Sequence, residues 1–432
     1  MRSLLFKWEY YLALFALGLA GCNSESGGGD SSIQTEPFFC AGGVCSLARG
    51  VALNEEYAAT VQDELALGNV ILKAANGSRL VLDNGIEWDG SHSLTLQADN
   101  DIRINGGLSA TSGKLIVDNP GHDFILVRPV HLSAGDNLRI NGEEYVVITE
   151  LGAEGSVTGT DLQGINGAAG VNFALGSDID ADTTKNWSAT SGFKRISQRI
   201  RNFEGLGHTI SQLQVNGGGT QSGMFASLSD ATIRHLALVN QRIDRGSHVG
   251  GLAAETYGTI TLKRSCFIGG RVSADYDAGG FFGRVDESLS ISDSCVMGTT
   301  INALEDTDVA GFAADVSGRA SINKSYALQL WFTGNGNEED AFAIPNGVND
   351  SVNIAKSLFK IFSSATAIVT RPGSVKLSEA EMSQLQHYMN AGWDISTDPD
   401  GNSLWYLDET SDTPPMLRLF DVELSNHLPS DA

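Results

Sequence analysis

Short alternations of apolar and polar residues, four or five positions long, run through most of this chain. The segments 259–262 (TITL) and 288–292 (SLSIS) are examples, and Gly, Asn, Asp and Ser separate one such run from the next. Strict alternation places every second side chain on one face, which is typical of a half-buried β-strand. Helical periodicity is absent here, so the pattern predicts an all-β fold built from many short strands.

These strands recur at a nearly constant interval. One column of equivalent positions runs in steps of 29, 29 and 31 through Ala237, Cys266, Cys295 and Tyr326. A second column contains the segments SGMF (222–225), VGGL (249–252), AGGF (278–281), VAGF (309–312) and DAF (340–342). Self-similarity at a fixed period of this length predicts a solenoid or a propeller.

The repeat length distinguishes these two architectures. A propeller blade of four antiparallel strands needs about 40 residues and hairpin turns. The shorter period favours stacked coils with parallel strands, and the 50 glycines among 432 residues suit the tight turns between them. We therefore predict a right-handed parallel β-helix.

The ends of the chain predict a different organisation from the coils. A short helix is expected at 55–67, and a capping box from Ser378 to Glu381 predicts a helix that continues to about Asn390. Solenoids need covered ends, so we expect a small helical C-terminal cap in which 393–420 closes the last coil. The predicted regions are a signal peptide (1–21), a tether and entry segment (22–50), N-terminal coils (51–160), longer repeats (161–372) and the cap (373–432).

The N-terminal segment up to Cys22 carries an export signal. Arg2 and Lys7 precede an apolar run at 10–20 that is too short to span a bilayer and ends in LAGC (19–22). This ending resembles the bacterial lipobox, which implies lipidation of Cys22; plain cleaved export and an uncleaved anchor are the alternatives. Lipidation would anchor the chain to a membrane through the flexible segment 24–37. Asn23 indicates the outer membrane by the sorting rule of such lipoproteins.

Three motifs connect the repeats to a known family. The segments DLQGING (161–167), NFALGSDIDA (172–181) and FEGLGHTI (203–210) resemble those that precede the GLUG repeats of filamentous-haemagglutinin-like large exoproteins. The Gly-Gly-Leu and Gly-Gly-Phe column resembles the GLUG repeat itself, and Gly392-Trp393-Asp394 with 415–418 (PMLR) is similar to the closing segment of that family. The resemblance covers about residues 60–420 and implies a β-helical surface protein of the adhesin type.

Charge restricts the partners. The 28 Lys and Arg residues against 52 Asp and Glu residues leave a formal net charge of −24. Such a surface repels nucleic acid and favours solubility or cation binding. We therefore expect no nucleic-acid partner.

Four cysteines besides Cys22 are candidates for disulfides. Cys266 and Cys295 occupy the same position of adjacent repeats, where parallel strands lie about 4.8 Å apart. A disulfide between two coils is one interpretation, and two buried free thiols are the other. Cys40 and Cys45 are spaced to close a small loop at the start of the fold; two such cysteines alone are a poor zinc signal.

The strongest candidate for chemistry is a column in predicted loops just before the glycine motif. His248, Asp277, Asp308 and Glu338 recur at steps of 29, 31 and 30. Stacked carboxylates raise one another's pKa values unless a cation is bound, so Asp277, Asp308 and Glu338 are candidate Ca²⁺ ligands. A solvated acidic edge and a catalytic carboxylate pair are the alternatives.

Two further acidic motifs have weaker signals. Asp398, Asp400 and Asn402 resemble part of a calcium loop, although the distal Glu of an EF-hand is missing and an ordinary turn is the alternative. The alternation of Asp178 and Asp180 with Asp182 is better explained by a structural turn. The expected cofactors are thus none, or Ca²⁺.

The sequence favours a non-catalytic, lipid-anchored protein of the cell envelope. We expect an outer-membrane lipoprotein, surface-exposed, that binds a carbohydrate or protein ligand on a surface, a cell or an envelope partner. The eight histidines fall in no triad or zinc motif, so no enzyme activity is predicted. The alternatives are a polysaccharide-active β-helix enzyme, either lyase or glycoside hydrolase, and a periplasmic scaffold.

Overall fold

A computed structural model describes residues 36–188, 192–217, 219–304, 308–334, 338–346, 351–363, 368–369, 371–411 and 413–420. In these residues the chain forms a nearly all-β parallel solenoid of about ten turns with three α-helices, as the repeat predicts. None of these helices has the length and hydropathy to span a membrane. The predicted signal peptide, Cys22 and the first part of the tether lie outside the described residues.

The N-terminal coils contain a helix and twelve strands. Helix α1 (Glu55–Leu67) lies where the sequence predicts it, with Tyr57 N donating to the Asn54 side chain at 3.0 Å as an N-cap. The strands are β1 (Phe38–Ala41), β2 (Val44–Leu47), β3 (Val70–Ala74), β4 (Leu80–Leu82), β5 (Ile86–Trp88), β6 (Ser93–Gln97), β7 (Ile102–Ile104), β8 (Leu108–Ala110), β9 (Lys114–Asp118), β10 (Phe124–Leu126), β11 (Val130–Leu132) and β12 (Gly135–Ile140).

Each N-terminal coil has three strands, and equivalent strands stack in parallel. Leu94 pairs in register with Leu115, which pairs with Leu138. These side chains and the alternate residues around them are buried, so each strand turns its apolar face inward. The core of this part is a continuous aliphatic column that helix α1 covers with Val61 and Leu65.

Between the N-terminal coils and the longer coils, the strand direction reverses at a hairpin between β12 and β13 (Glu143–Ile148). The two strands pair antiparallel, and Asn141 and Gly142 form the turn with φ of 49° and 87°. Positive φ at both central positions is typical of a two-residue hairpin turn, for which Asn-Gly is the favoured sequence. The predicted uninterrupted solenoid is therefore two stacks that share one sheet and have opposite strand directions.

The second stack continues with four strands in most coils and two 3₁₀ helices (Gln163–Gly167 and Asp182–Asn186). Its strands are β14 (Asn172–Leu175), β15 (Ile179–Asp180), β16 (Asn202–Glu204), β17 (Thr209–Ser211), β18 (Gln214–Asn216), β19 (Gln221–Ser222), β20 (Phe225–Arg234), β21 (Ala237–Val239), β22 (Arg242–Asp244), β23 (His248–Gly250), β24 (Ala253–Lys263), β25 (Cys266–Ile268), β26 (Arg271–Ala274), β27 (Asp277–Gly279), β28 (Phe282–Val285), β29 (Ser288–Ser292), β30 (Cys295–Met297), β31 (Thr300–Ala303), β32 (Asp308–Ala310), β33 (Ala313–Val316), β34 (Arg319–Asn323), β35 (Tyr326–Gly334), β36 (Glu338–Asp340), β37 (Ala343–Pro345), β38 (Ser351–Ala355), β39 (Ser357–Ser363), β40 (Ile368–Val369) and β41 (Ser374–Lys376).

Both predicted columns are in register in this stack. Ala237 pairs with Cys266, Cys266 with Cys295, and Cys295 with Tyr326. In the second column, a Cβ on Gly280 would lie 2.1 Å from the carbonyl oxygen of Gly311. Any residue larger than glycine would clash with the backbone there. The glycine column therefore lets consecutive coils approach closely where β23 and its equivalents turn into the next strand.

The C-terminal segment is small and partly helical, as predicted. It contains α2 (Glu379–Met382), with the capping box at Ser378, α3 (Leu385–Asn390), β42 (Ile395–Ser396), β43 (Trp405–Tyr406) and β44 (Met416–Leu417). Strand β41 extends the edge of β39, but the residues that follow do not close the last coil.

That segment lies instead along the side of the solenoid. Trp405 and its apolar neighbours pack on the column that contains Cys266, Cys295 and Tyr326, and the Tyr326 hydroxyl donates to the carbonyl of Pro415 at 2.6 Å. Asp394 reaches the N-terminal coils through an ion pair with Arg103 at 2.9 Å. An exposed apolar column on the outer face explains this position, because end-capping would leave it in water.

Candidate functional site

The predicted acidic column lies on one sheet of the second stack. His248 pairs in register with Asp277, and Asp308 with Glu338. These four residues begin β23, β27, β32 and β36, so they lie in strands and not in the loops that the sequence suggested. We call them the acidic ladder.

The upper half of the acidic ladder is a close histidine–carboxylate pair. His248 Nδ1 lies 2.8 Å from Asp277 Oδ2, and both side chains are partly shielded from solvent. The hydrogen bond to Asp277 raises the pKa of His248. The imidazolium is therefore stabilised next to the first carboxylate of the ladder.

The lower half is crowded with negative charge. Burial raises the pKa of Asp308 to about 6, and the neighbouring Asp277 and Glu338 carboxylates add to this effect. Glu338 has a cationic partner, since Arg371 lies 3.2 Å from it and also pairs with Asp340. Asp308 therefore changes its protonation state near pH 6.

A second row of charged residues borders the ladder. Glu255, Arg284 and Asp315 pair in register on β24, β28 and β33, which follow the glycine turn. Burial raises the pKa of Asp315, which lies 3.8 Å from Arg284. The acidic ladder and this second row lie on either side of the turn that the glycine column forms, which we call the glycine corner.

One set of residues in this corner has the geometry of a metal site. Ligand atoms of His248, Asp277 and Asp315 all lie within 4.8 Å of one another. The predicted calcium set of Asp277, Asp308 and Glu338 is not the one that converges among the described residues, because Glu338 turns to Arg371. An imidazole with two carboxylates suits a transition metal better than Ca²⁺, which takes oxygen ligands.

The second predicted calcium motif connects two parts of the chain. Asp398 accepts a hydrogen bond from Asp400 N at 3.1 Å in a local turn, and the carbonyl of Asp398 accepts one from Arg418. Asn402 donates to Asp83 at 3.2 Å. Here the loop residues fasten the C-terminal segment to the N-terminal coils.

The third acidic motif forms turns. Asp178 accepts a hydrogen bond from Thr209 N at 2.8 Å, and Asp180 accepts one from Asp182 N at 2.9 Å. Asp182 pairs with Lys185 at 2.7 Å. These contacts agree with the structural role that the sequence favours.

The four cysteines of the described region are paired. A disulfide joins Cys40 to Cys45 across the β1–β2 hairpin, with their Cα atoms 4.0 Å apart. A second disulfide joins Cys266 to Cys295 between neighbouring coils, with their Cα atoms 4.5 Å apart. Both place a covalent link where the register already holds two strands together.

Two charged groupings have no counterpart among the predicted sites. One is a buried network in which Glu204 contacts His235 at 2.8 Å and pairs with Arg234. Burial alone would raise the pKa of Glu204, but the neighbouring His235 and Arg234 outweigh it and the pKa is lowered. The other is a groove lined by Arg242 and Arg271, and their separation by one repeat is the signal that could have found it.

Comparisons with known proteins do not confirm the predicted family. No family model matches the chain, so the resemblance to GLUG-repeat exoproteins stays a prediction. Halomucin from Haloquadratum walsbyi is 33% identical over 141 residues, which cover 29% of this chain. The chain spans only about 2% of the length of halomucin.

One solved structure is similar in its backbone. It is a crystal structure of a Bacteroides ovatus protein described as a candidate immunoglobulin A1 protease. The similarity has a TM-score of 0.41 and 15% sequence identity, and it covers 64% of this chain and 92% of the other. A likeness of this degree carries no argument about activity.

Proposed function

We propose that this chain is a non-catalytic, lipid-anchored surface protein that binds an external partner through the side of its β-helix. The solenoid fold is compatible with a surface protein, and the sequence supplies the features of a lipoprotein signal up to Cys22. Lipid anchoring of an extended solenoid leaves its lateral faces available for binding. The proposed partner is a carbohydrate or protein ligand on a surface, a cell or the envelope.

The observation that carries this proposal is a broad, regular polar face on the second stack. Thr261 pairs in register with Ser290, Ser290 with Ser321, and Ser321 with Asn353. Outward columns of small hydroxyl and amide side chains repeat at about 4.8 Å, which is the spacing of parallel strands. A surface of this kind offers many equivalent hydrogen-bonding positions.

The test compares protease digestion of intact cells with that of cells whose outer membrane is permeabilised, using a C-terminally tagged chain. We expect digestion on intact cells, together with loss of membrane association in a Cys22→Ala variant. A Cys40→Ala/Cys45→Ala variant is the matched control, since it removes cysteines without touching the lipobox. Protection until permeabilisation would refute surface exposure and favour a periplasmic scaffold.

The acidic ladder favours one alternative, a polysaccharide-active enzyme. Asp308, with a pKa raised to about 6, lies next to Asp277, and a carboxyl group with a raised pKa beside a second carboxyl group can serve as a general acid. Release of reducing ends or unsaturated products from acidic and neutral polysaccharides is the assay. Turnover that disappears in Asp308→Asn would support the enzyme and contradict the non-catalytic proposal.

A further inference from the structure

A second polar surface of the solenoid differs from the acidic ladder in charge. It is an open groove of about 970 Å³ on the outer side of β18, β22 and β26. The side chains important for the inference are Gln214, Arg242, Asp244, Arg245, Arg271 and Ser273. We call it the arginine groove.

The register places its arginines side by side. Gln214 pairs with Arg242 and Arg242 with Arg271, so their side chains project from the same column on three consecutive coils. Arg242 and Arg271 keep 60% and 48% of their side-chain surface exposed. Two guanidinium groups therefore face solvent about one strand spacing apart.

One carboxylate balances both of them. Arg242 Nε donates to Asp244 at 2.6 Å, and Arg271 Nε lies 3.6 Å from the other oxygen of Asp244. Arg245, also exposed, forms no ion pair within the described part of the chain. Asp275 also lines the groove, so three arginines face two carboxylates and the groove holds a small excess of positive charge on a chain with a formal net charge of −24.

That local excess acts at short range. Salt screens the remaining acidic surface beyond about 8 Å at physiological ionic strength, so an anion in the groove mainly senses the arginines. A planar guanidinium presents paired N–H donors that match a carboxylate or a sulfate. The groove is therefore suited to an anionic group that lies across Arg242 and Arg271.

The remaining lining indicates what carries the anion. Gln214 donates to Asn216 at 3.2 Å, and Arg271 donates to the Ser273 hydroxyl at 3.3 Å, so amides and a hydroxyl continue the arginine column and the neighbouring column of Asp244. Such groups both donate and accept hydrogen bonds, as sugar hydroxyls require. Leu304, which is 56% exposed, adds an apolar contact.

Single-stranded nucleic acid fits this groove poorly. Its recognition depends on aromatic side chains on which the bases stack. The described residues that line the groove include no aromatic side chain. Hydroxyl-rich, acidic polymers match the lining better.

We propose that the arginine groove binds an acidic saccharide chain, with its carboxylate or sulfate between Arg242 and Arg271. The inference rests on the proposed binding function, whose ligand class and binding face it specifies. Its test is separate, because binding by purified protein does not depend on which side of a membrane the protein occupies. Failure of the saccharide to bind would not change the interpretation of the protease digestion. Protection from the protease would likewise not change the interpretation of saccharide binding.

The experiment is calorimetric titration of the full-length chain in detergent with polygalacturonate, dextran sulfate and neutral dextran. We expect binding to at least one acidic polymer, weakening with added salt, and none to dextran. Binding to polygalacturonate alone identifies a carboxylate ligand, and binding to dextran sulfate alone identifies a sulfate. Absence of binding to both acidic polymers, or equal binding to dextran, would overturn the proposal.

Variants localise the effect. Arg242→Gln/Arg271→Gln should lower the affinity at least tenfold, and Arg245→Gln should lower it several-fold. Arg199→Gln is the matched control, because Arg199 is equally exposed and pairs with Asp230 outside the groove. All of these side chains are on the surface, so the urea midpoint should stay unchanged. Unchanged affinity in a folded double variant, or in a folded Arg245→Gln if the double variant does not fold, would refute the site.

Discussion

The two stacks of this solenoid both bury an apolar face of each coil against the next coil, but their coils differ in length. In the N-terminal stack, equivalent positions follow one another at steps of 24, 21 and 23 through Val70, Leu94, Leu115 and Leu138. In the second stack the steps are 29, 29, 31 and 32, through Ile233, Leu262, Ile291, Ile322 and Ile354. The additional residues of the longer coil form one more strand and a glycine corner.

The two coil types also differ in their charged side chains: the acidic ladder and the arginine groove both lie on the longer coils. The shorter coils have a mainly aliphatic interior, in which Trp88, Phe124 and Tyr145 are the aromatic members, and a helix against one side. The longer coils bury stacked aromatic rings and add the sheet that carries the acidic ladder, together with the strands that line the arginine groove. An extra strand per coil gives extra outward columns, and the charged clusters occupy them.

The aromatic interior of the longer coils should be the most sensitive feature. Phe312 stacks between Phe281 and Phe342, with ring centroids 5.8 and 5.9 Å apart. Phe312→Ala should lower the free energy of unfolding by about 4 kcal/mol, since it leaves a large cavity. Urea denaturation measures this, with Leu96→Ala in a short coil as the comparison at about 3 kcal/mol. A cost below that of Leu96→Ala would contradict the greater role of the aromatic stack.

The two disulfides should differ in their contribution. Cys266 and Cys295 are 29 residues apart, whereas Cys40 and Cys45 are 5 apart. By loop-closure entropy, Cys266→Ala/Cys295→Ala should lower the free energy of unfolding by about 3.6 kcal/mol and Cys40→Ala/Cys45→Ala by about 2 kcal/mol. Parallel urea titrations under oxidising conditions compare them. The reverse order would show that native packing, and not the unfolded chain, dominates.

The glycine corner of the longer coils should not tolerate a larger side chain. Gly280→Ala should lower the free energy of unfolding by about 2 kcal/mol, because the added Cβ meets the backbone of the next coil. Gly68→Ala is the control, since a Cβ there has no neighbour within 4 Å and the backbone is extended. Thermal unfolding of both variants gives the comparison. Equal midpoints would mean that the corner can expand without loss.

Asp308 predicts a small effect that depends on pH. Its pKa, raised to about 6 in the folded chain from 3.8, means that ionisation opposes folding. Stability contributed by the protonated form is therefore lost as the pH rises from about 4 to about 6. Asp308→Asn should be more stable than the wild type by about 1 kcal/mol at pH 8, after allowance for solvent screening, and equal to it at pH 4.

Asp63→Asn is the control for that experiment, because Asp63 is an exposed residue of α1 in the short-coil stack. The Asp63→Asn substitution should change the free energy of unfolding only slightly, and by the same amount at pH 4 and at pH 8. An Asp308→Asn variant with no gain at pH 8 would show that a bound cation or a rearranged corner already neutralises the ladder. A gain that appears only after a metal chelator is added would indicate the first of these.

Equivalent positions were predictable from the sequence because a repeat leaves a periodic record. The columns through Cys266 and through Gly280 follow from the constant repeat step, since each coil must present the same residue type to the same neighbour. Helix α1 was predictable as well, from local capping and composition. Asn141-Gly142 carried a hairpin signal too, but the expectation of one continuous stack obscured it.

Contacts between segments that are distant in the sequence produce no periodic pattern from which they could be predicted. Arg264 pairs with Asp123, 141 residues earlier, where the two stacks touch. The C-terminal segment binds the outer column of Tyr326 and the N-terminal Arg103, and no spacing in the sequence announces either contact. Such contacts depend on how the stacks bend and which outer faces remain uncovered.

The sequence by itself determined the coil, its period and the residues in each column. Those properties arise from local alternation and from repeats that bury an apolar face against the next copy. Only the tertiary structure decided the reversal between the stacks, the lateral position of the C-terminal segment and the grouping of His248, Asp277 and Asp315. These depend on side-chain reach and burial between different columns, which a one-dimensional period does not specify.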